Sequence, residues 1–294
     1  MSFGIPETYM SSETKLTLYG GTGIIGTYYR GLYPSKHVQR NCFCPLTEDV
    51  LYLISTTDNS NIYTSPQLDI HTNLSVLANR LDHCRDFGVK TFNFVSSWFV
   101  YGPSHTKPTE RSICNPNGFY SVTKYAAEKL VMEYCTAHGM NWRILRLGNV
   151  YGGPDKGTEK RNALHRIIEL LKQGEDIEVY KGLSRDYIHI LDICRAIHLV
   201  LADGQLNTIY NIGTGIETPL FDCVSEAKNI LKARNTIKQV PPKEDYNQAI
   251  RFSLDCTKLY TLGFRPMLTL QEGLEDLCRD QRFCTPDRTL TGAK

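Results

Sequence analysis

A phenol and an ammonium stand four residues apart at Tyr120 and Lys124, in the segment YSVTK. Residues at this spacing lie on one face of a helix, so the two groups would be neighbours. Tyrosine is a poor acid or base near neutral pH because its reference pKa is about 10, and a nearby ammonium favours the phenolate. The pair therefore predicts a proton carrier of adjusted acidity. The alternative is a solvated pair on an exposed helix.

Two serines, Ser96 and Ser97, close a β-prone run upstream of that pair, within FVSSWFVYG at residues 94–102. A serine at the end of a strand can hydrogen-bond the substrate oxygen that gains or loses a proton, and so assist the tyrosine. The combination of serine, tyrosine and lysine favours catalysis over the solvated pair.

A glycine-rich segment, GGTGIIG at residues 20–26, follows the β-prone run 15–19 and precedes a helix-compatible stretch that ends at Leu32. Glycines let the backbone approach a pyrophosphate, and the N–H groups at a helix start attract negative charge. Glycine clusters also form ordinary turns, but the position after a first strand favours a dinucleotide site. The residues assigned to that site are Gly20, Gly23, Ile24, Ile25 and Gly26.

Strand and helix patterns alternate around these groups. The predicted strands are 15–19, 49–55, 90–96 and 141–147, and the predicted helices among them are 73–87 and 120–138. This alternation predicts an α/β fold: a Rossmann-type, doubly wound parallel sheet with its ligand crevice at the carboxyl ends of the strands. Shorter mixed elements beyond Gly152 predict a smaller C-terminal α/β substrate lobe.

The predicted domain division follows from that change of pattern. Residues 13–152 form the dinucleotide-binding domain, and residues 184–216 return to it. Residues 153–183 and 217–294 form the substrate-binding lobe.

Composition narrows the class of protein. The chain has 294 residues, and 33 Lys and Arg against 31 Asp and Glu leave a net charge of +2, which argues against nucleic acid as a partner. It has no apolar run of about 18 residues and no signal-peptide pattern at its start, so we expect a cytoplasmic protein without membrane attachment. Its 10 cysteines lack regular spacing, which predicts reduced thiols and no metal site.

Taken together, the ordered motifs resemble the extended short-chain dehydrogenase/reductases, particularly the nucleotide-sugar epimerases, dehydratases and ketoreductases. The resemblance covers nearly the whole chain. Besides the segments above, it rests on Asn73, Glu110 and Pro116 and on four further motifs: RLGNVYGGP at 146–154, SRDYIHILD at 184–192, YNIGTG at 210–215 and RFSLDCTKLYTLGFRP at 251–266.

The resemblance implies a role for each catalytic candidate. Ser97 would be the catalytic hydroxyl, and Ser96 would simply end its strand. Tyr120 would be the acid/base. Lys124 would orient the nicotinamide ribose and lower the pKa of Tyr120. Tyr120 and Lys124 would thus contact the cofactor as well.

The resemblance also implies a nucleotide-diphosphate sugar as the substrate. Ser97 and Asn149 would contact the sugar nucleotide, and Arg185 and Arg251 its diphosphate, because a guanidinium binds phosphate oxygens bidentately. Trp98 would shape the sugar pocket, unless it only packs against its neighbours. The alternative for Arg185 is a salt bridge with Asp186 or Asp192. For Arg251 a structural role is equally compatible with the pattern.

Two positions depart from the dehydratase pattern. Family 4,6-dehydratases carry an acidic residue directly after the catalytic Ser/Thr, whereas this chain has Trp98 and Phe99. Elimination of water needs that acid and base, so the pattern favours a 4-epimerase or a 4-keto-sugar reductase acting at C4 through Ser97, Tyr120 and Lys124. The alternative from another class is a non-catalytic regulatory protein that binds a dinucleotide on the same fold.

The predicted cofactor is NAD(P), and the pattern favours NADP over NAD. No Asp or Glu occurs between Thr27 and Thr47, where NAD-binding members place the acid that contacts the adenosine ribose. Arg40 stands where a basic side chain can meet a 2′-phosphate, unless it is only a loop charge. Asp58 would line the cofactor groove.

The distance along the chain from Gly26 to the strand at Val50 is short, which indicates a reduced second and third strand-helix unit. The resemblance also implies a homodimer, paired through the helices predicted at 73–87 and 120–138.

Overall fold

The computed structural model describes residues 15–57, 61–103, 106–153, 163–243 and 248–278. The strands are β1 (Leu16–Tyr19), β2 (Lys36–His37), β3 (Asp49–Tyr52), β4 (Thr91–Ser97), β5 (Asn141–Leu147), β6 (Asn149–Tyr151), β7 (Ile177–Tyr180), β8 (Ser184–Arg185), β9 (Tyr187–His189), β10 (Thr208–Ile212), β11 (Thr218–Pro219) and β12 (Ile237–Val240). The helices are α1 (Ile24–Leu32), α2 (Asn61–Thr64), α3 (Pro66–Ile70), α4 (Val76–Phe87), α5 (Phe119–Ala137), α6 (Ala163–Gln173), α7 (Ile190–Asp203), α8 (Leu220–Leu231), α9 (Thr257–Thr261) and α10 (Leu270–Cys278).

Six parallel strands form the main sheet in the order β2-β1-β3-β4-β5-β10. The central strands are buried along nearly their whole length, as in β4, where six of seven residues are buried. Both faces of such a strand are removed from solvent because helices cover both sides of a parallel sheet. The strand order reverses between β1 and β3, and a ligand crevice opens at the carboxyl ends of the strands at such a point. The predicted α/β doubly wound fold is confirmed.

The first half of the sheet is reduced. Between α1 and β3 the structure has only the two-residue strand β2 and no helix, and every residue of that stretch is described. After α1 the chain therefore forms β2 on one side of β1, and it then forms β3 on the other side of β1 without an intervening helix.

Apolar side chains form separate clusters on the two faces of the sheet. One cluster packs α1 and α7 on the first face, around Leu51, Leu145 and Ile197. The second packs α4 and α5 on the other face, around Phe92 and Val131.

A third apolar cluster lies away from the sheet. It joins α6, α8 and α10 with β7 and runs from Tyr151 to Cys278. The predicted division into a dinucleotide-binding domain and a substrate lobe stays a prediction.

None of the helices in the described residues is long and apolar enough to cross a bilayer. The described cysteines are free thiols, of which Cys42 and Cys44 are exposed. Most of the others are buried, and burial raises the pKa of the Cys84 thiol to about 12.

Candidate active site

The glycine-rich turn forms a cradle in which backbone lies against backbone. Gly20 has a positive φ of 82°, and a Cβ on Gly26 would lie 2.4 Å from the carbonyl oxygen of Gly20. Side chains are thus excluded where α1 meets the turn, as a pyrophosphate site requires. Helix α1 begins at Ile24, which is 46% exposed, with Gly23 as its N-cap. These residues fit the phosphates of a dinucleotide, held at the start of α1.

The catalytic candidates meet at the carboxyl end of β4. Ser97 is the last residue of that strand, and Tyr120 lies in the first turn of α5. The phenol of Tyr120 is buried, and the hydroxyl groups of Ser97 and Ser55 lie near enough to lower its pKa. The structure thus brings the predicted serine and tyrosine to the same place.

Burial sets the acidity of the tyrosine. It raises the pKa of Tyr120 to about 12, the hydrogen bonds from Ser97 and Ser55 lower it in part, and the charge of Asp69 raises it further. The resemblance implied that Lys124 lowers the pKa of Tyr120. That role of Lys124 stays a prediction; in the protein alone, desolvation of the phenolate is the largest influence on the pKa of Tyr120.

Lys124 is buried one turn further along α5. Its Nζ donates to the carbonyl of Val95 at 2.7 Å and lies 4.2 Å from the ring centroid of Phe94. Burial lowers the pKa of Lys124 to about 7, although the charge of Glu128 opposes the shift. Near neutral pH, the charged and the neutral forms of Lys124 are therefore both populated.

The lowered pKa of Lys124 predicts that the stability of the protein depends on pH. The pKa of Lys124 falls from 10.5 to about 7 on folding, so between those values the native protein binds fewer protons at this site than the unfolded chain. The free energy of unfolding that Lys124 contributes is expected to rise as the pH increases through that window. Urea unfolding of wild type and Lys124→Met at several pH values in this window measures the effect. The free energy of unfolding of wild type should rise with pH relative to that of the variant.

The exposed Lys129 on the same helix supplies the matched control. The Lys129→Met variant should show a difference from wild type that stays constant with pH. A constant difference for Lys124→Met as well would contradict the depressed pKa.

A buried ion pair lies behind the catalytic groups. Arg146 donates to Glu128 through Nε at 3.0 Å and through Nη2 at 2.7 Å, and the Ser96 hydroxyl donates to the same carboxylate. Burial alone would lower the pKa of Arg146, but the hydrogen bonds and charge of Glu128 raise it above its ordinary value. Ser96 and Ser97 thus have different partners: Ser96 faces the ion pair and Ser97 faces Tyr120.

An asparagine joins the end of β3 to α5. Oδ1 of Asn73 accepts from the Ser55 hydroxyl and from the Thr56 N–H, both at 3.0 Å. Its Nδ2 donates to the hydroxyl groups of Thr56 and Thr123. Asn73 therefore holds Ser55 beside Tyr120. The sequence analysis did not identify Ser55 as a site residue. The available signal was a hydroxyl group near the carboxyl end of β3.

Aromatic rings occupy the positions after Ser97. Trp98 packs between Phe99 and Phe252, with centroid distances of 4.1 and 4.2 Å, and the edge of Phe99 meets Tyr120 at 6.0 Å. Beside them is a small depression that is open to solvent. Its lining residues are Trp98, Phe99, Gly102, Pro103, Asn117, Gln248 and Ala249.

Arg185 is buried, and Asn149 is half-buried in β6. The guanidinium of Arg185 lies 5.2 Å from the Trp98 ring and donates to the carbonyl groups of Ser184 and Ile250. Nδ2 of Asn149 is buried and has no hydrogen-bond partner among the described residues, so a ligand can supply one.

The acidic residues suggested as alternative partners of Arg185 have other contacts. Asp192 pairs with Arg195 at 2.7 Å. Asp186 accepts hydrogen bonds from Thr214, Gly215 and Leu254.

Of the three other predicted residues, two have exposed side chains. Arg251 has a side chain that is 68% exposed and forms a bidentate salt bridge with Glu217 at 2.7 and 3.2 Å. Arg40 is exposed in the loop after β2. Asp58 lies outside the described residues.

A doubly wound parallel sheet, a glycine cradle at its switch point and a serine-tyrosine-lysine set beside it define an extended short-chain dehydrogenase/reductase. The model of the NAD dependent epimerase/dehydratase family matches residues 49–213, more than half of the chain. The protein belongs to this family of nucleotide-sugar enzymes.

Known proteins agree with this assignment. The chain is 32% identical over 213 residues to the low-salt glycan biosynthesis protein Agl12 of Haloferax volcanii, covering 70% of this chain and 66% of that one. It is 28% identical over 284 residues to a dTDP-glucose 4,6-dehydratase of Streptomyces griseus, covering 92% and 84%. Its fold is similar to that of RMD from Pseudomonas aeruginosa complexed with NADPH, with a TM-score of 0.79, 21% identity and coverage of 91% and 99%.

Proposed function

We propose that this protein is an NAD(P)-dependent oxidoreductase that acts at C4 of a nucleotide-diphosphate sugar, as a 4-epimerase or a 4-keto-sugar reductase. The observation that carries the proposal is the buried Tyr120 phenol, which lies with Ser97 and Ser55 at the edge of the sheet where the glycine cradle opens. A regulatory protein that only binds a dinucleotide has no need for such a cluster.

The bound dinucleotide supplies or accepts the hydride. Tyr120 holds the proton that moves to or from the C4 oxygen, and the Ser97 hydroxyl binds that same oxygen. Lys124 lies one turn along α5 from Tyr120, which supports assigning it the binding of the nicotinamide ribose. The burial that raises the pKa of Tyr120 keeps the phenol protonated, which suits proton donation to a C4 oxygen during reduction.

The residues after Ser97 support oxidoreduction over 4,6-dehydration. A related protein is a dTDP-glucose 4,6-dehydratase. Elimination of water requires an acid and a base beside the sugar, whereas Trp98 and Phe99 present aromatic rings there. These rings suit packing against a sugar rather than proton transfer.

The polar contacts to the substrate are assigned to three residues. Asn149 offers its buried Nδ2 to the sugar nucleotide, and Arg185 lies beside Trp98 to meet the diphosphate. Arg251 can join them only by leaving Glu217, so its contribution to affinity is proposed to be the smaller one.

The lean to NADP, a cytoplasmic location and a homodimer complete the proposal. The cofactor preference is supported by the absence of Asp and Glu between Thr27 and Thr47 and by Arg40 in the exposed loop. The dimer is proposed to form through α4 and α5, and Val122 and Leu130 of α5 are 49% and 43% exposed.

Incubation of the purified protein with UDP-, GDP-, CDP- and dTDP-sugars, with and without NADPH, tests the proposed reaction. A 4-epimerase converts a sugar nucleotide with no net change in NADPH, and a reductase consumes NADPH stoichiometrically. Product analysis by mass spectrometry and NMR separates the two. Dinucleotide binding without turnover of any sugar nucleotide would favour the regulatory alternative.

A further inference from the structure

The second strand of the sheet ends in a histidine beside the glycine-rich turn. Strand β2 pairs with β1 in parallel, with His37 opposite Leu18, so both strands direct their carboxyl ends to the same edge. When a dinucleotide occupies such a turn, its adenosine ribose is bound by a residue about 20 positions after the glycines, usually Asp or Glu. In this shortened sheet the corresponding place is taken by His37.

The imidazole of His37 packs directly on the turn. A Cβ at Gly21 would lie 2.4 Å from Nδ1 of His37, so a glycine leaves the room that the ring occupies. Nδ1 is buried and has no hydrogen-bond partner among the described residues. A buried polar atom in that state costs free energy that a ligand group can recover.

The local charge selects between the two forms of the ribose. Lys36, His37 and Arg40 are basic, and no acidic residue occurs from Tyr28 to Thr47. A carboxylate at this place accepts a hydrogen bond from a 2′-hydroxyl and repels a 2′-phosphate. An imidazole can instead donate a hydrogen bond to the phosphate, and no carboxylate is present there to repel it.

We propose that His37 is the residue that determines dinucleotide specificity, by contacting the adenosine ribose and selecting the form that carries a 2′-phosphate. The proposal rests on the proposed function, since it requires the glycine cradle to hold a dinucleotide. Arg40 adds charge from the exposed loop, whereas His37 provides the contact because its ring is seated against Gly21.

Calorimetric titration of the purified protein with NADP, NAD, 2′,5′-ADP and 5′-AMP tests this role without any sugar substrate. Wild type is expected to bind NADP about 10- to 100-fold more tightly than NAD, as befits a charge-assisted hydrogen bond. His37→Ala should reduce that ratio to about threefold or less, and His37→Asp should bring it below one. In both variants the preference for 2′,5′-ADP over 5′-AMP should disappear as well.

An exposed histidine elsewhere is the matched control. His138 caps the far end of α5, and His138→Ala should keep the wild-type ratio. Circular dichroism melting establishes that each variant is folded. Equal affinities of wild type for NADP and NAD, or a ratio unchanged in His37→Ala and His37→Asp, would overturn the assignment of His37 and leave the proposed function standing. Folded wild type that binds neither dinucleotide would overturn the proposed function as well.

Discussion

Replacing Tyr120 by phenylalanine is expected to lower turnover of the nucleotide sugar by about 10²- to 10⁴-fold, the range for loss of a positioned acid/base. The variant keeps the aromatic ring, so its edge contact with Phe99 and its packing in α5 persist. It loses the hydroxyl that Ser97 and Ser55 hold. Steady-state turnover, with dinucleotide affinity measured alongside, is the readout.

Tyr52→Phe provides the control for that experiment. Tyr52 is 1% exposed in the second core cluster, and its hydroxyl has no hydrogen-bond partner in the part of the chain that the structure describes. Removing it takes away a buried phenol hydroxyl without touching the site, so turnover should stay close to wild type. Near-normal turnover in Tyr120→Phe would refute the acid/base role.

Replacing Glu128 by alanine is expected to destabilise the protein by about 3–5 kcal/mol, as observed when one partner of a buried ion pair is removed. Glu128 and Arg146 have side chains that are 0% and 3% exposed. Without the carboxylate, the guanidinium keeps its desolvation cost and loses its two hydrogen bonds. Nη1 of Arg146 already has no partner among the described residues, so little remains to compensate. Urea unfolding measures the loss.

Two further variants separate the buried charge from other effects. Glu48 pairs with Lys90 at 2.6 Å on the surface, and Glu48→Ala should change the stability little because solvent screens that pair. The double variant Glu128→Leu with Arg146→Met removes both charges and should recover much of the stability. A loss below about 1 kcal/mol in Glu128→Ala would contradict the importance of this pair.

Local patterns in the sequence were sufficient for most of the main sheet. Strands β4 and β5 follow from short β-prone runs, and α5 follows from a long helical pattern, because these preferences involve neighbouring residues. The π-helical turn His71–Ser75 before α4 was not predicted. The expected α-helix at 73–87 began inside this turn and treated its last residues as regular helix. A single widened turn leaves no periodic signal of its own.

The candidate site divides in the same way. The spacing of Tyr120 and Lys124 on one helix, and the glycines at the start of α1, are properties of consecutive residues and were predicted from the sequence. Ser55 reaches Tyr120 only because β3 lies between β1 and β4 in the sheet, which no local pattern encodes.

By itself the sequence determined which residue types are available, the local elements that carry them and the family to which the chain belongs. Only the tertiary structure decided the charge balance of the site. Burial raises the pKa of Tyr120 and lowers that of Lys124, and contacts between distant segments place Arg185 inside while Arg251 pairs with Glu217 outside. The physical reason is that desolvation and ion pairing depend on the groups that packing brings together.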